Sequence, residues 1–154
     1  MPHVHADLVH EVEVAWADAR RPPDGYIVAP GGECEFDGVQ EYFAGTTWRN
    51  HKPTDLRVHC AAVSTYFSDR AYSYWLAAFL VAAVQEPGEL SQGIDSLWFS
   101  LDLSTPRAHG RLEALSKRQR RALLHVLKFL KDEYGCAQSG EDSIRYLEVL
   151  TGEA

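Results

Sequence analysis

At 154 residues, with 45% hydrophobic and 24% charged content, the chain has the balance of one globular domain able to bury its own core. A net charge of −7 excludes the basic profile of a general nucleic-acid binder, and three widely spaced cysteines (Cys34, Cys60, Cys136) form neither a disulfide framework nor a CxxC pair. The N-terminus has no basic or apolar leader pattern, which predicts a cytoplasmic protein with reduced thiols.

The first predicted helix covers Asp7 to Ala19. Leu8, Val12, Trp16 and Ala19 recur there at helical spacing, Trp16 is the expected anchor into the core, and Pro22-Pro23 stop the helix. Between Tyr26 and Phe36 two readings stay open: a small hairpin around Pro30-Gly31-Gly32, or an ordered loop. Asp37 is placed to cap a short helix carrying Val39, Tyr42 and Phe43, with Gly45 ending it. A further helix is predicted from Thr54 or Asp55, with Leu56, Cys60, Val63 and Phe67 on one stripe.

The run from Ser68 to Gln85 dominates the chain. From Ala71 to Val84 only Ser73 falls outside the apolar and aromatic set, so this helix has no face left for water and has to be surrounded. It is too short to cross a bilayer, which takes about 20 apolar residues. Pro87-Gly88 end it. Ile94 to Leu103 alternates as a strand would through Leu97, Phe99, Leu101 and Leu103 and fits a helix through Ile94, Leu97, Trp98 and Leu101; helix is favoured because no partner strand is evident, and a loop is expected around Thr105-Pro106 and Gly110. Ser116 and Gln119 have the spacing of a capping box ahead of a helix with Leu123, Val126, Leu127 and Leu130 on its inner face and Gly135 at its end. A last helix runs from about Glu141 to Leu150. The fold expected is therefore all-α: a single-domain bundle of five to seven helices around residues 68–85.

Four landmarks carry a resemblance: Trp48-Arg49; Phe67 to Leu80; Asp95-Ser-Leu-Trp-Phe-Ser-Leu101; and Leu115 to Leu130. Together, over roughly residues 40 to 131, they resemble a family of small bacterial proteins known only as a domain of unknown function. Ala77 departs from that family, which has proline there, and proline would bend the central helix. The resemblance implies a bacterial, mostly helical, cytoplasmic protein. It implies no reaction.

Charge supplies the functional candidates. Between Ser104 and Lys131 eight basic residues face a single acid, Glu113, whereas the first 46 residues hold nine acids against Arg20 and Arg21. On the predicted helix over residues 117–131, Arg118, Arg121, His125 and Lys128 fall opposite the apolar side, a stripe able to meet nucleic acid or another phosphate ligand. It is equally the charged outer face that any amphipathic helix needs. The acidic segment Glu33, Glu35, Asp37 and Glu41, with Trp48 and Arg49 downstream, has the carboxylates and aromatics of a contact for a basic protein.

Catalytic chemistry finds no motif. There is no GxSxG, no phosphate loop, and no paired Cys/His or HExxH spacing for a metal, so neither a cofactor nor a metal is expected. A hydrolase assembled only in space stays open. The leading expectation is a non-enzymatic binding protein acting on another protein, such as a toxin-neutralising immunity protein or an adaptor, with no membrane partner.

Overall fold

The computed structural model describes residues 2–29 and 38–153. Among the described residues, besides a 3₁₀ turn at Asp24–Tyr26 and a π-helical turn, there are nine α-helices: α1 (Pro2–Ala15), α2 (Val39–Phe43), α3 (Pro53–Val58), α4 (Asp69–Gln85), α5 (Pro87–Leu90), α6 (Gly93–Ser100), α7 (Pro106–Ala114), α8 (Lys117–Tyr134) and α9 (Gln138–Thr151). The fold is all-α, as the sequence leads one to expect, with more and shorter helices than the five to seven anticipated.

The centre is α4. Ser68 caps it, its hydroxyl accepting the Ala71 N–H at 3.1 Å, and Tyr72, Trp75, Leu76, Phe79 and Leu80 are all fully buried along it. α1 and α8 pack along its length, α9 closes over α8, and α5, α6 and α7 cover the remaining sides. Trp16, just past α1, is completely buried, and its indole N–H donates to the Ser73 carbonyl at 2.7 Å. That contact places the end of α1 beside the start of α4, so the two helices run antiparallel. α8 begins with the capping box read from the sequence, with Ser116 and Gln119 each bonding the other's backbone N–H, and Gly135 ends it at φ 76°.

Several expectations are corrected. The segment from Thr105 to Gly110 is no loop: Pro106 at the first position starts α7, which carries Gly110 in its middle. The helix expected through Phe67 breaks after Val58, and a π-helical turn at Ala62–Tyr66 carries the chain on to Phe67. Cys60 is therefore half-buried at the edge of the core rather than on one continuous apolar stripe. α1 ends at Ala15, four residues before the predicted end. In the region read as a hairpin or a loop, Val28 forms an isolated antiparallel bridge with Phe67, and Ala29 N–H donates to Tyr66 O at 2.9 Å. The first arm thus pairs with the residues just ahead of the central helix; the other arm, and with it the choice between hairpin and loop, lies outside the described residues.

One buried charge stands out. Arg111 on α7 is 3% exposed, donates to the Ser100 carbonyl at 2.8 Å, and lies over the Tyr72 ring at 4.7 Å. No carboxylate pairs with it among the described residues, and its Nε has no hydrogen-bond partner there. The ring face and the carbonyl dipole are its compensation.

Candidate functional site

The residues from Ala44 to Lys52 form no regular element, yet they are fixed from several sides. Thr46 Oγ donates to the Phe43 carbonyl at 2.8 Å and accepts the Trp75 indole N–H at 3.2 Å. The Trp48 backbone N–H donates to Tyr74 Oη at 3.3 Å, and the Trp48 side chain is 4% exposed. His51 Nε2 lies 2.6 Å from the Thr47 carbonyl and Nδ1 2.7 Å from Tyr42 Oη. A carbonyl only accepts, so the ring proton sits on Nε2 and Nδ1 accepts from the tyrosine hydroxyl. Asn50 completes the turn at φ 65°, a left-handed conformation that asparagine tolerates better than most residues.

Two of the loop's exposed polar residues, Arg49 and Asn50, line a cleft. Arg49 is exposed and lies over Trp48, its guanidinium carbon 4.1 Å from the ring centroid; Asn50 beside it is exposed as well. Both face a cleft of about 300 Å³ between the loop, α1 and the C-terminal half of α4. Glu13, Gln85 and Glu86 supply further polar groups, and Ala78, Val81 and Ala82 an apolar floor. Of the predicted contact residues, Trp48 and Arg49 are brought together here. Glu41 is exposed on α2, while Glu33, Glu35 and Asp37 lie outside the described residues.

The Tyr42–His51 pair looks at first like an acid–base couple, but its chemistry is that of a scaffold. Both ring nitrogens are already engaged. Burial pushes His51 below its ordinary value, and burial, with the Asp55 charge adding to it, pushes Tyr42 up to about 12. Both groups are thus held neutral and facing each other. His59 stacks on Tyr42, with ring centroids 4.5 Å apart, and its Nδ1 is buried without a partner among the described residues. No group of three His, Cys, Asp or Glu side chains among the described residues could hold a metal ion.

The basic stripe on α8 meets a different fate. Arg121 pairs with Glu153 at 3.0 Å, Lys128 with Glu148 at 3.1 Å, and Lys131 with Glu141 at 3.0 Å. His125 sits between two carboxylates, with Glu11 2.8 Å from Nδ1 and Glu153 3.1 Å from Nε2. α1 on one side, and α9 with the residues just after it on the other, thus bring acids up to the stripe. Arg118 is exposed in a shallow groove shared with Asp7, His10 and Glu11.

Sequence reasoning missed Glu13, Glu86 and the Tyr42–His51 pair, for which no spacing signal exists. No family model, curated protein or solved structure matches the chain. Among the described residues no helix is long and apolar enough to cross a membrane.

Proposed function

We propose that the chain is a non-enzymatic protein-binding module that meets its partner through the Trp48–His51 loop and the cleft beside it. One observation carries the reading: Arg49, without an ion-pair partner among the described residues, is presented from a backbone already held by Thr46, Trp48 and His51. A preordered loop has little freedom left to lose on association. Arginine anchored on tryptophan is also the residue pair that interface hot spots favour. A toxin-neutralising immunity protein or an adaptor fits such a module by analogy of size and charge.

The phosphate reading is weaker, because Arg121 and Lys128 are ion-paired within the chain and both ring nitrogens of His125 are hydrogen-bonded to carboxylates. A hydrolase is weaker too, since the one tyrosine–histidine pair at the cleft has no nitrogen free for a substrate.

A photo-crosslinking residue at Asn50, in cells of the native host, tests the proposal. The expected result is one discrete adduct that disappears on Arg49→Ala and does not form from Tyr134, which is exposed but does not line the cleft. An adduct that survives Arg49→Ala, or one formed equally from Tyr134, would sink it.

A further inference from the structure

We propose that His125 is a pH-operated clasp. With both ring nitrogens protonated it ties α1 and the end of α9 to α8; when it gives up one proton, the contact to Glu153 opens and the contact to Glu11 stays. None of these three residues lines the Trp48–His51 cleft, so the clasp is independent of the protein-binding reading.

Both ring nitrogens face acceptors. Nδ1 lies 2.8 Å from each Glu11 oxygen, and Nε2 lies 3.1 Å from Glu153 Oε2. An ionised carboxylate only accepts, and a neutral imidazole has one N–H and one lone pair. The doubly protonated ring therefore satisfies both contacts, whereas the neutral ring sets a lone pair against a carboxylate oxygen. Other charges lie nearby. On α8, Arg121 pairs with Glu153 at 3.0 Å and Lys128 with Glu148 of α9 at 3.1 Å. α1 adds Asp7 and His10, which line the shallow groove with Glu11, Arg118 and Arg121. α4 also packs on α8, but among the described residues none of its groups bonds to the ring.

The two contacts are unequal, and that decides which one opens. Which nitrogen keeps its proton is set by what each of them faces. Glu11 gives Nδ1 both oxygens and has no other partner among the described residues. Glu153 gives Nε2 one oxygen at the longer distance and keeps its other oxygen on Arg121. The proton is therefore lost from Nε2, and α1 stays fastened. Glu153 lies just beyond α9, where its N–H donates to the Glu148 carbonyl at 2.9 Å across the left-handed Gly152 cap. Opening the ring contact loosens this last turn. The rest of α9 stays on α8 through Lys128–Glu148 and Lys131–Glu141.

Two-bond ¹H–¹⁵N spectra of the full-length chain, followed from about pH 5.5 to about pH 8.5 on either side of the ordinary histidine range, show which ring nitrogen carries the proton. The signals absent from His125→Gln are those of His125. After deprotonation the ring should keep its proton on Nδ1. Over the same range, amide exchange at Gly152 and Glu153, corrected for the intrinsic rate, should accelerate by about two- to fivefold, the scale of a partly exposed ion pair. Amides around Glu11 should not follow. In Glu153→Gln the side-chain amide can donate to the neutral Nε2, so the acceleration should vanish; an unchanged dispersion of amide signals shows that this variant is folded. A neutral ring protonated at Nε2 would overturn the clasp. So would acceleration around Glu11 in place of Glu153, no acceleration at either, or acceleration that persists in Glu153→Gln.

Discussion

The outer face of α8 and the loop from Ala44 to Lys52 both carry arginine at the surface, and they are built in opposite ways. On α8, Arg121, His125, Lys128 and Lys131 are each matched by a carboxylate from α1, from α9 or from Glu153 just beyond α9. In the loop the charge of Arg49 is left unmatched among the described residues, while the backbone beneath it is fixed by uncharged contacts to Trp75, Tyr74 and Tyr42. Charge spent within the fold cannot also recognise a partner. Charge held out on a rigid support can. The stripe with more cations is therefore the poorer candidate, a conclusion that counting basic residues along a helix would reverse.

The largest expected effect tests the support of the loop. Trp48→Ala removes a nearly completely buried indole and should destabilise the protein by about 3–5 kcal/mol. The measurement is the denaturation midpoint at constant m-value. A change below ~0.5 kcal/mol, typical of surface sites, would mean that Trp48 does not anchor the loop and that Arg49 is not presented from a fixed base.

A smaller effect isolates the neutral pair. Tyr42→Phe deletes the hydroxyl bonded to His51 Nδ1 and should lower stability by about 1 kcal/mol, the usual net worth of one hydrogen bond. The distinguishing readout is local. Amide exchange from Trp48 to His51 should accelerate more than exchange in α8. Uniform acceleration across the chain would show that the bond serves global stability and not the loop.

These two regions also show what the sequence made readable. The central helix, the capping box at Ser116 and the burial of Trp16 follow from patterns within 20 residues, and the structure keeps all of them. α7 was hidden because Pro106 and Gly110 both act as breakers in a local reading, while proline is well suited to a helix's first position and glycine is tolerated in an exposed middle turn. The site was half legible. Trp48 and Arg49 stand out as adjacent residues, but Glu13 and Glu86 come from positions far apart in the chain and line one cleft only because α1 packs on α4. The neutralisation of α8 was hidden for the same reason: Glu11 and Glu153 lie 114 and 28 residues from His125.

The ion pairs of α8 should matter less than the loop's anchor. Their side chains are partly solvent-exposed, Lys128 at 40% and Arg121 at 45%, and pairs of this kind contribute about 0.2–1 kcal/mol each. Glu153 faces both Arg121 and His125, so Glu153→Gln should fall at the upper end of that range in low salt. At 1 M salt the screening length is only about 3 Å and the loss should shrink towards zero. A loss of several kcal/mol that salt does not reduce would mean that α9 is held on by packing around Glu153 and not by charge.

The faintest expected effect separates the two regions by pH. In the loop, burial favours neutral His51, so its value in the folded protein lies below the ordinary 6.5. As pH falls through 6.5 the unfolded chain takes up this proton first, and stability declines until the folded form is protonated too. Tyr42 does the reverse at the other end. Burial raises it from 10.0 to about 12, so the unfolded chain loses the proton first and stability declines as pH rises through 10. Between those limits the pair keeps one protonation arrangement, and the loop should be steady. Comparing the native chain with His51→Gln at pH 7.5 and 5.5 cancels the other histidines to first order, leaving an acid-side loss that only the native chain shows. Salt should leave that difference unchanged, because the interaction is between neutral groups, whereas the Glu153→Gln difference should fade with salt. If the histidine difference fades as well, His51 is charged in the folded protein, and the loop is held by the same kind of contact as α8.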